Sequence, residues 1–328
     1  MSLLKHAPQF DSEAASKVAA DFYHLECLAT SLPSERDQNF LLTTNDCNKY
    51  VLKIANSLEQ RSLLEAQNSV LTHLNARVAF SPKVIPASSG ASIVEIQQAG
   101  ALHFVRLVSY IEGAPLATTT QSDRLLVDFG TKLGQLSRAL KHFDEPAFHR
   151  DFHWDLANGL KILDAYADLL TEELDRVIVA FKNNFEKAVG SRLINLPRSV
   201  IHGDANDYNV IVNGEKVVGL IDLGDMVWSY TIGELAIALA YVVLDKPDPL
   251  RIVKTVMSGY ASQCEVSDDE LRALWWLMLM RLAMSVCLAA HQQKEKPENE
   301  YLDISQQAIH RSLPGLLALD PEELLGVR

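Results

Sequence analysis

Apolar and polar positions are patterned differently in the two parts of the chain. Asp11 or Ser12 can cap an opening helix that runs to about Tyr23, and Asn39 to Thr44 and Lys49 to Ala55 then read as two strands. Asn45-Asp46-Cys47-Asn48 joins them as a hairpin. Ser57 with Gln60 three residues on reads as a capping box. Leu63, Leu64, Val70, Leu71 and Leu74 fall near one face of the helix that would follow it, to about Asn75. Ile93 to Ile96 and His103 to Tyr110 return to strand character. From Asp123 onward amphipathic helices dominate, interrupted by a hairpin around Asn213-Gly214 and followed by an apolar helix over Ile232 to Leu244. The pattern predicts a small sheet with helices, then a mainly helical lobe.

The most apolar stretch, Leu271 to Ala290, is broken by Arg272 and Arg281, so it is expected as a buried core helix and not a membrane span. With 328 residues and 48% hydrophobic content, the chain can build two cores. Met1 to His6 lacks the apolar run of a signal peptide, which predicts a cytoplasmic protein. Cys27, Cys47, Cys264 and Cys287 have neither zinc-site spacing nor disulfide density and are expected reduced. A net charge of -12 disfavours a nucleic-acid partner. The same acidity suits a cationic substrate: Asp204, Asp207, Glu215, Asp222, Asp225 and Glu234 face a single base, Lys216, between Val200 and Ala240.

The candidate chemistry lies in that acidic stretch. His202-Gly203-Asp204 is followed five residues after the Asp by Asn209, then by the strand-like Val210-Ile211-Val212, the Asn213-Gly214 turn, and Val217 to Ile221 leading to Asp222. Phosphoryl transfer needs a carboxylate to orient the attacking hydroxyl and oxygen ligands for the cation on the nucleotide phosphates. Asp204 fits the first role, and Asn209 and Asp222 fit the second. A competing triplet, His149-Arg150-Asp151, looks more like the protein-kinase motif, but the position five residues after Asp151 is Leu156, which cannot bind metal. His149 and His153 are given no metal role.

Lys53 sits mid-strand just before the helix, where kinases keep the lysine that holds the ATP phosphates. Glu65 is the available carboxylate for it, while counting back from Leu71 and Leu74 puts Gln67 at the partner position. The ion pair is therefore either Lys53 with Glu65 or absent.

With these motifs in place the chain resembles the aminoglycoside phosphotransferase and choline kinase group over nearly its whole length. Leu32 to Phe40, Val51-Leu52-Lys53-Ile54 and Ile221-Asp222-Leu223-Gly224-Asp225-Met226 are most similar to the hydroxylysine kinase-like branch, which includes kinase domains fused to class III aminotransferases. The resemblance implies an α+β, protein-kinase-like two-lobed fold. A small antiparallel-sheet lobe over 1–106 would bind nucleotide, 107–112 would form a hinge, and a mainly helical lobe over 113–328 would hold the catalytic and substrate sites. It also implies roles. Asp204 would be the catalytic base, Asn209 and Asp222 magnesium ligands, and Lys53 the phosphate contact; the hinge at Leu107 to Ile111, with Val108 and Tyr110, would meet adenine. Ser34 to Phe40 would cover the phosphates, and because it contains no glycine, the approach would come from turn geometry or from side chains such as Arg36 and Gln38, with Asn39 also a nucleotide-contact candidate. Arg36 is equally an exposed loop charge.

Two departures bear on the substrate. Gly203 replaces the arginine with which protein kinases grip a phosphorylated loop, and no Ala-Pro-Glu follows Asp222. The short path from Trp228 to the Ile232 helix leaves little room to dock a polypeptide, so a small molecule is expected. Asp207, Asp225 or Glu234 could hold its ammonium group, and so could Trp154 with Asp155 through ring face and charge. Glu234 reads equally as a helix-terminus charge, and the Trp-Asp pair as a packed ring beside a cap. The expectation is an ATP- and Mg2+-dependent kinase of a small cationic or zwitterionic hydroxyl-bearing amine or amino acid, with no nucleic acid or membrane partner and a possible fused aminotransferase. A nucleotide sensor or scaffold is the rival reading. The C-terminal Pro321 to Gly326 is expected to be helical.

Overall fold

A computed structural model describes residues 8–34, 36–98, 100–295 and 305–324. Met1 to His6 and the last two residues of the expected Pro321 to Gly326 helix lie outside that range; within it, Pro321–Leu324 is a 3-10 turn. The chain divides into two compact units, Met1–Glu112 and Gly113–Arg328.

In the first unit, helix α1 (Ser12–Tyr23) starts where Asp11 accepts a hydrogen bond from the Ala14 amide at 2.8 Å. Strands β1 (Cys27–Leu32), β2 (Gln38–Thr44) and β3 (Lys49–Ile54) follow, and β1 is an element the sequence reading did not find. Helix α2 (Arg61–Asn75) ends as expected but starts late. Gln60 is the residue before its first turn and makes no side-chain cap, so the expected Ser57–Gln60 capping box does not form. Asn56 takes over that corner, its Oδ1 accepting the Leu58 amide at 3.0 Å. Strands β4 (Val84–Ile85), β5 (Val94–Gln98) and β6 (Ala101–Ser109) complete an antiparallel sheet ordered β1-β2-β3-β6-β4, with β5 also on β6.

The period-two pleat sorts this sheet. Phe40, Leu42, Leu52, Ile54, Val105 and Leu107 are buried in one cluster with Ala15, Val18 and Ala19 of α1. On the opposite face Asn39, Lys53 and Arg106 are cross-strand partners in one row. Arg106 there donates to Gln67 Oε1 of α2 at 2.5 Å and to Asn68 Oδ1 at 3.2 Å.

The second unit opens with the short strand β7 (Ala114–Pro115) and helix α3 (Asp123–Leu140), capped by Ser122. Helices α4 (Gly159–Tyr166) and α5 (Glu172–Val189) lead to β8 (Arg198–Ile201), then to the hairpin of β9 (Val210–Asn213) and β10 (Lys216–Leu220) and to β11 (Val227–Tyr230). Strands β7, β9 and β10 form one small sheet, β8 and β11 another. Helices α6 (Gly233–Val242), α7 (Pro249–Ala261), α8 (Asp268–Glu295) and α9 (Gln306–Leu317) close the unit. The apolar stretch lies in α8, whose most apolar window is 89% buried inside the protein, so it is a core helix. Cys27, Cys47, Cys264 and Cys287 are all free thiols.

Candidate active site

Residues 202–209 connect β8 to β9, and three anchors fix their course. The β8–β11 ladder pairs Ile201 with Val227 and draws the chain after Asp222 alongside the chain after Ile201. At Gly203 the two run so close that a Cβ would lie 2.5 Å from the Asp225 carbonyl oxygen, and φ is +78°. Both facts require glycine, which accounts physically for the missing arginine of the triplet. His202 is buried and ties the loop on three sides. Its amide donates to Glu234 Oε2 at 2.5 Å, its Nε2 donates to the Ile221 carbonyl at 3.0 Å, and its Nδ1 accepts the Asp204 amide at 3.3 Å.

Asp204 is held through both carboxylate oxygens. Oδ1 accepts from Asn206 Nδ2 at 3.0 Å and from Arg281 Nη2 at 2.8 Å, while Oδ2 accepts from Asn209 Nδ2 at 2.8 Å. Burial raises its pKa to about 7, with Asp225 and Asp222 adding to the rise and Arg281 and Asn206 opposing it. Asn209 also donates to the Asp204 carbonyl at 2.9 Å, which turns its own amide oxygen away from Asp204. The Ile221 amide donates to the Asn209 carbonyl at 2.9 Å, so the hairpin returns Asp222 beside Asn209. Asp222 has φ 64°, a left-handed conformation that an aspartate adopts more readily than most residues. The two candidate metal ligands therefore converge, and both offer the hard oxygen donors that magnesium takes. Among the described residues no group of three or more His, Cys, Asp or Glu could hold a metal.

The other acidic candidates differ in their surroundings. Glu234 is 1% exposed beneath the loop, and burial raises its pKa to about 7. Asp155 is buried, caps Ala157 at 3.0 Å and accepts the Ser229 hydroxyl, and Trp154 has the Arg281 guanidinium 4.2 Å from its ring centroid. Asp207 is half-buried, with its carbonyl accepting the Ala117 amide at 2.9 Å; burial raises its pKa also. Asp225 is 9% exposed.

In the first unit, Gln38 uses its amide in both directions on the Phe10 main chain, at 2.8 and 2.7 Å. Asn39 keeps a buried Oδ1 with no hydrogen-bond partner among the described residues. The Arg36 carbonyl and the Asp37 carboxylate both bond Asn56, which pins that loop to the end of β3, and Glu35 lies outside the described residues. Glu65 pairs with Arg61 at 2.9 Å, and Gln67 meets Arg106. Val108 is a buried strand residue paired with Val51 and Val84, and Tyr110 lies under the Lys49 ammonium at 5.4 Å.

Two arginines were missed as site residues. Arg281 reaches Asp204 from α8, where its only trace in the sequence was a charge interrupting an apolar run. Arg150, from the competing triplet, donates to the Gly224 carbonyl at 2.8 Å and to the Met226 carbonyl at 2.9 Å, gripping the turn just after Asp222. No local pattern pointed to either contact.

Comparison with known proteins bears on the family and the fold. The phosphotransferase enzyme family matches residues 29–274. A hydroxylysine kinase of Mus musculus is 31% identical over 335 residues, covering 93% of this chain and 89% of the relative. Among solved structures, the amicoumacin kinase hAmiN in complex with AMP-PNP, Ca2+ and Ami superposes with a TM-score of 0.75 at 16% identity, over 96% of this chain and 97% of that one. A microcompartment-associated aminopropanol kinase gives 0.74 at 17% identity, over 97% and 99%. The fold they share is protein-kinase-like.

Proposed function

The chain belongs to the phosphotransferase enzyme family and is a small-molecule kinase with a hydroxyl acceptor, and from that premise we propose that it uses ATP and Mg2+ to phosphorylate a hydroxylated amine or amino acid of the hydroxylysine class. The observation that carries the reading is the convergence of Asp204, Asn209 and Asp222 on one loop and hairpin. The acceptor class is supported by the acidic balance of the site and by the likeness to a hydroxylysine kinase over most of the chain.

Asp204 orients the acceptor. Its Oδ1 already takes two hydrogen bonds and its Oδ2 only one, so the incoming hydroxyl donates to Oδ2. The hydroxyl oxygen bonds to the γ-phosphorus, the bond from that phosphorus to the β–γ bridging oxygen breaks, the hydroxyl proton passes to Asp204, and ADP leaves. Asn209 and Asp222 would hold magnesium, which when bound offsets phosphate charge. Lys53 is assigned to the nucleotide phosphates, Asp207 or Asp225 to the acceptor ammonium. Glu234 and Asp155 are already committed to His202 and Ser229 and serve the scaffold.

The test is magnesium-dependent ADP release against hydroxylysine, homoserine, ethanolamine, choline, an aminopropanol and an aminoglycoside. One amine or amino-acid acceptor should turn over, and Asp204→Ala should lower its rate about 1000-fold with little change in ATP affinity. Unaltered turnover in that variant would sink the assignment, and turnover only with glycerol, added to the panel as an acceptor without nitrogen, would sink the substrate class.

A further inference from the structure

Arg281 is 2% exposed in a helix that is otherwise apolar around it, a costly place for a charge unless it is paired. Each part of the side chain has a separate contact. Nη2 donates to Asp204 Oδ1 at 2.8 Å, Nε donates to the Tyr241 hydroxyl at 3.1 Å, and the guanidinium carbon lies over the Trp154 ring, 4.2 Å from its centroid. We propose that Arg281 is a positioning residue for phosphoryl transfer: with Asn206 it fills Oδ1 of Asp204, so that only Oδ2, the oxygen shared with Asn209, is presented to the acceptor hydroxyl.

This rests on the reading that Asp204 orients the acceptor. The geometry selects arginine over lysine, because a rigid planar fork can bond a carboxylate and a phenol at once while its carbon lies over an indole, and a single ammonium cannot. It also ties α8 and Trp154 to the chemistry. The cation face of Trp154 is thus used by the protein's own arginine. One competing use exists: Nη1 is buried without a hydrogen-bond partner among the described residues, and could instead take a carboxylate of the acceptor.

Kinetics and melting of Arg281→Met, Arg281→Lys, Asp204→Asn and the double variant Asp204→Asn/Arg281→Met decide the matter. Arg281→Met should lower kcat about 100-fold, the cost of a misplaced reacting group. The KM for acceptor and for ATP should stay within about threefold, because a transition-state geometry is lost and not a ground-state contact. Arg281→Lys should recover part of the rate. The double variant should be no slower than Asp204→Asn alone, since Arg281 acts through Asp204. A raised acceptor KM with kcat retained would assign Arg281 to the substrate carboxylate and overturn the proposal, as would additive rate losses. Melting reads the pairing without turnover: Arg281→Met should melt below the wild type, and adding Asp204→Asn should recover part of the loss. If the wild type releases no ADP with any acceptor, the functional reading fails, and the melting cycle still rules on the pair, with additive losses overturning it.

Discussion

Two short segments of this chain carry nearly the same letters and meet opposite fates. In His149-Arg150-Asp151, the histidine stacks on Trp228 and bonds Asp144, and Asp151 lies on the surface, its side chain 74% exposed, between Asn158 and Lys161. In His202-Gly203-Asp204, the histidine and glycine are buried and the aspartate is bonded by three other side chains. The difference lies in the middle residue, which must be glycine at 203, and in what packs beneath the triplets. Glu234 of α6 takes the His202 amide, Asp225 presses on Gly203, and the returning hairpin supplies Ile221 and Asp222. The first triplet still contributes, because Arg150 grips the carbonyls after Asp222. A protein kinase places the gripping cation and the catalytic aspartate in one triplet; here Arg150 and Asp204, the aspartate proposed for catalysis, come from separate loops, and the grip is on main-chain carbonyls, so it needs no phosphate.

The largest expected contrast lies between the two aspartates. Asp204→Asn should cost about 1000-fold in kcat, whereas Asp151→Asn, which trades one exposed ion pair for an amide, should change the rate by less than about twofold. Comparable losses in both would erase the distinction. Gly203→Ala comes next. A methyl group 2.5 Å from a carbonyl at φ +78° should destabilise the protein by about 2 kcal/mol in urea denaturation and displace Asp204. An alanine variant of unchanged stability and rate would show that the loop is not held by this approach.

Glu234 tests the support under the second triplet through pH. Its carboxyl is raised by burial from the ordinary 4.5 to about 7, outweighing the His202 amide bond that lowers it. Because the folded state binds this proton more tightly than the unfolded chain, the contribution to stability is complete below about 4.5 and is lost as pH rises through about 7. The wild type should therefore lose about 2 kcal/mol more than Glu234→Gln between about pH 5 and pH 8. Identical slopes would remove Glu234 from the account. The smallest effect is expected for Arg150→Gln, about 1 kcal/mol in stability with a rate loss under about tenfold, since the carbonyls it bonds can be partly rehydrated. A loss as large as that of Asp204→Asn would make the first triplet part of the chemistry after all.

Much of this was legible along the chain because the signals were local. The opening helix cap at Asp11, the β2–β3 hairpin, the Asn213-Gly214 turn and the five-residue step from Asp204 to Asn209 each lie within one or two elements, so sequence spacing maps directly onto geometry. The capping box at Ser57 failed because Asn56, bonded to the Arg36-Asp37 loop, claimed the corner before the helix could begin. That competition is between segments about twenty residues apart and leaves no local trace.

The sequence by itself determined the residues and order of the candidate loop from His202 to Asn209, the hairpin that follows it, and the buried character of α8. Only the tertiary structure decided what those residues face. Arg281 is 77 residues from Asp204 along the chain and Arg150 is 74 from Gly224, and each contact exists because packed helices and strands bring remote side chains together. A buried charge must find a partner wherever the fold provides one, and a one-dimensional pattern records that a charge is buried without recording which partner satisfies it.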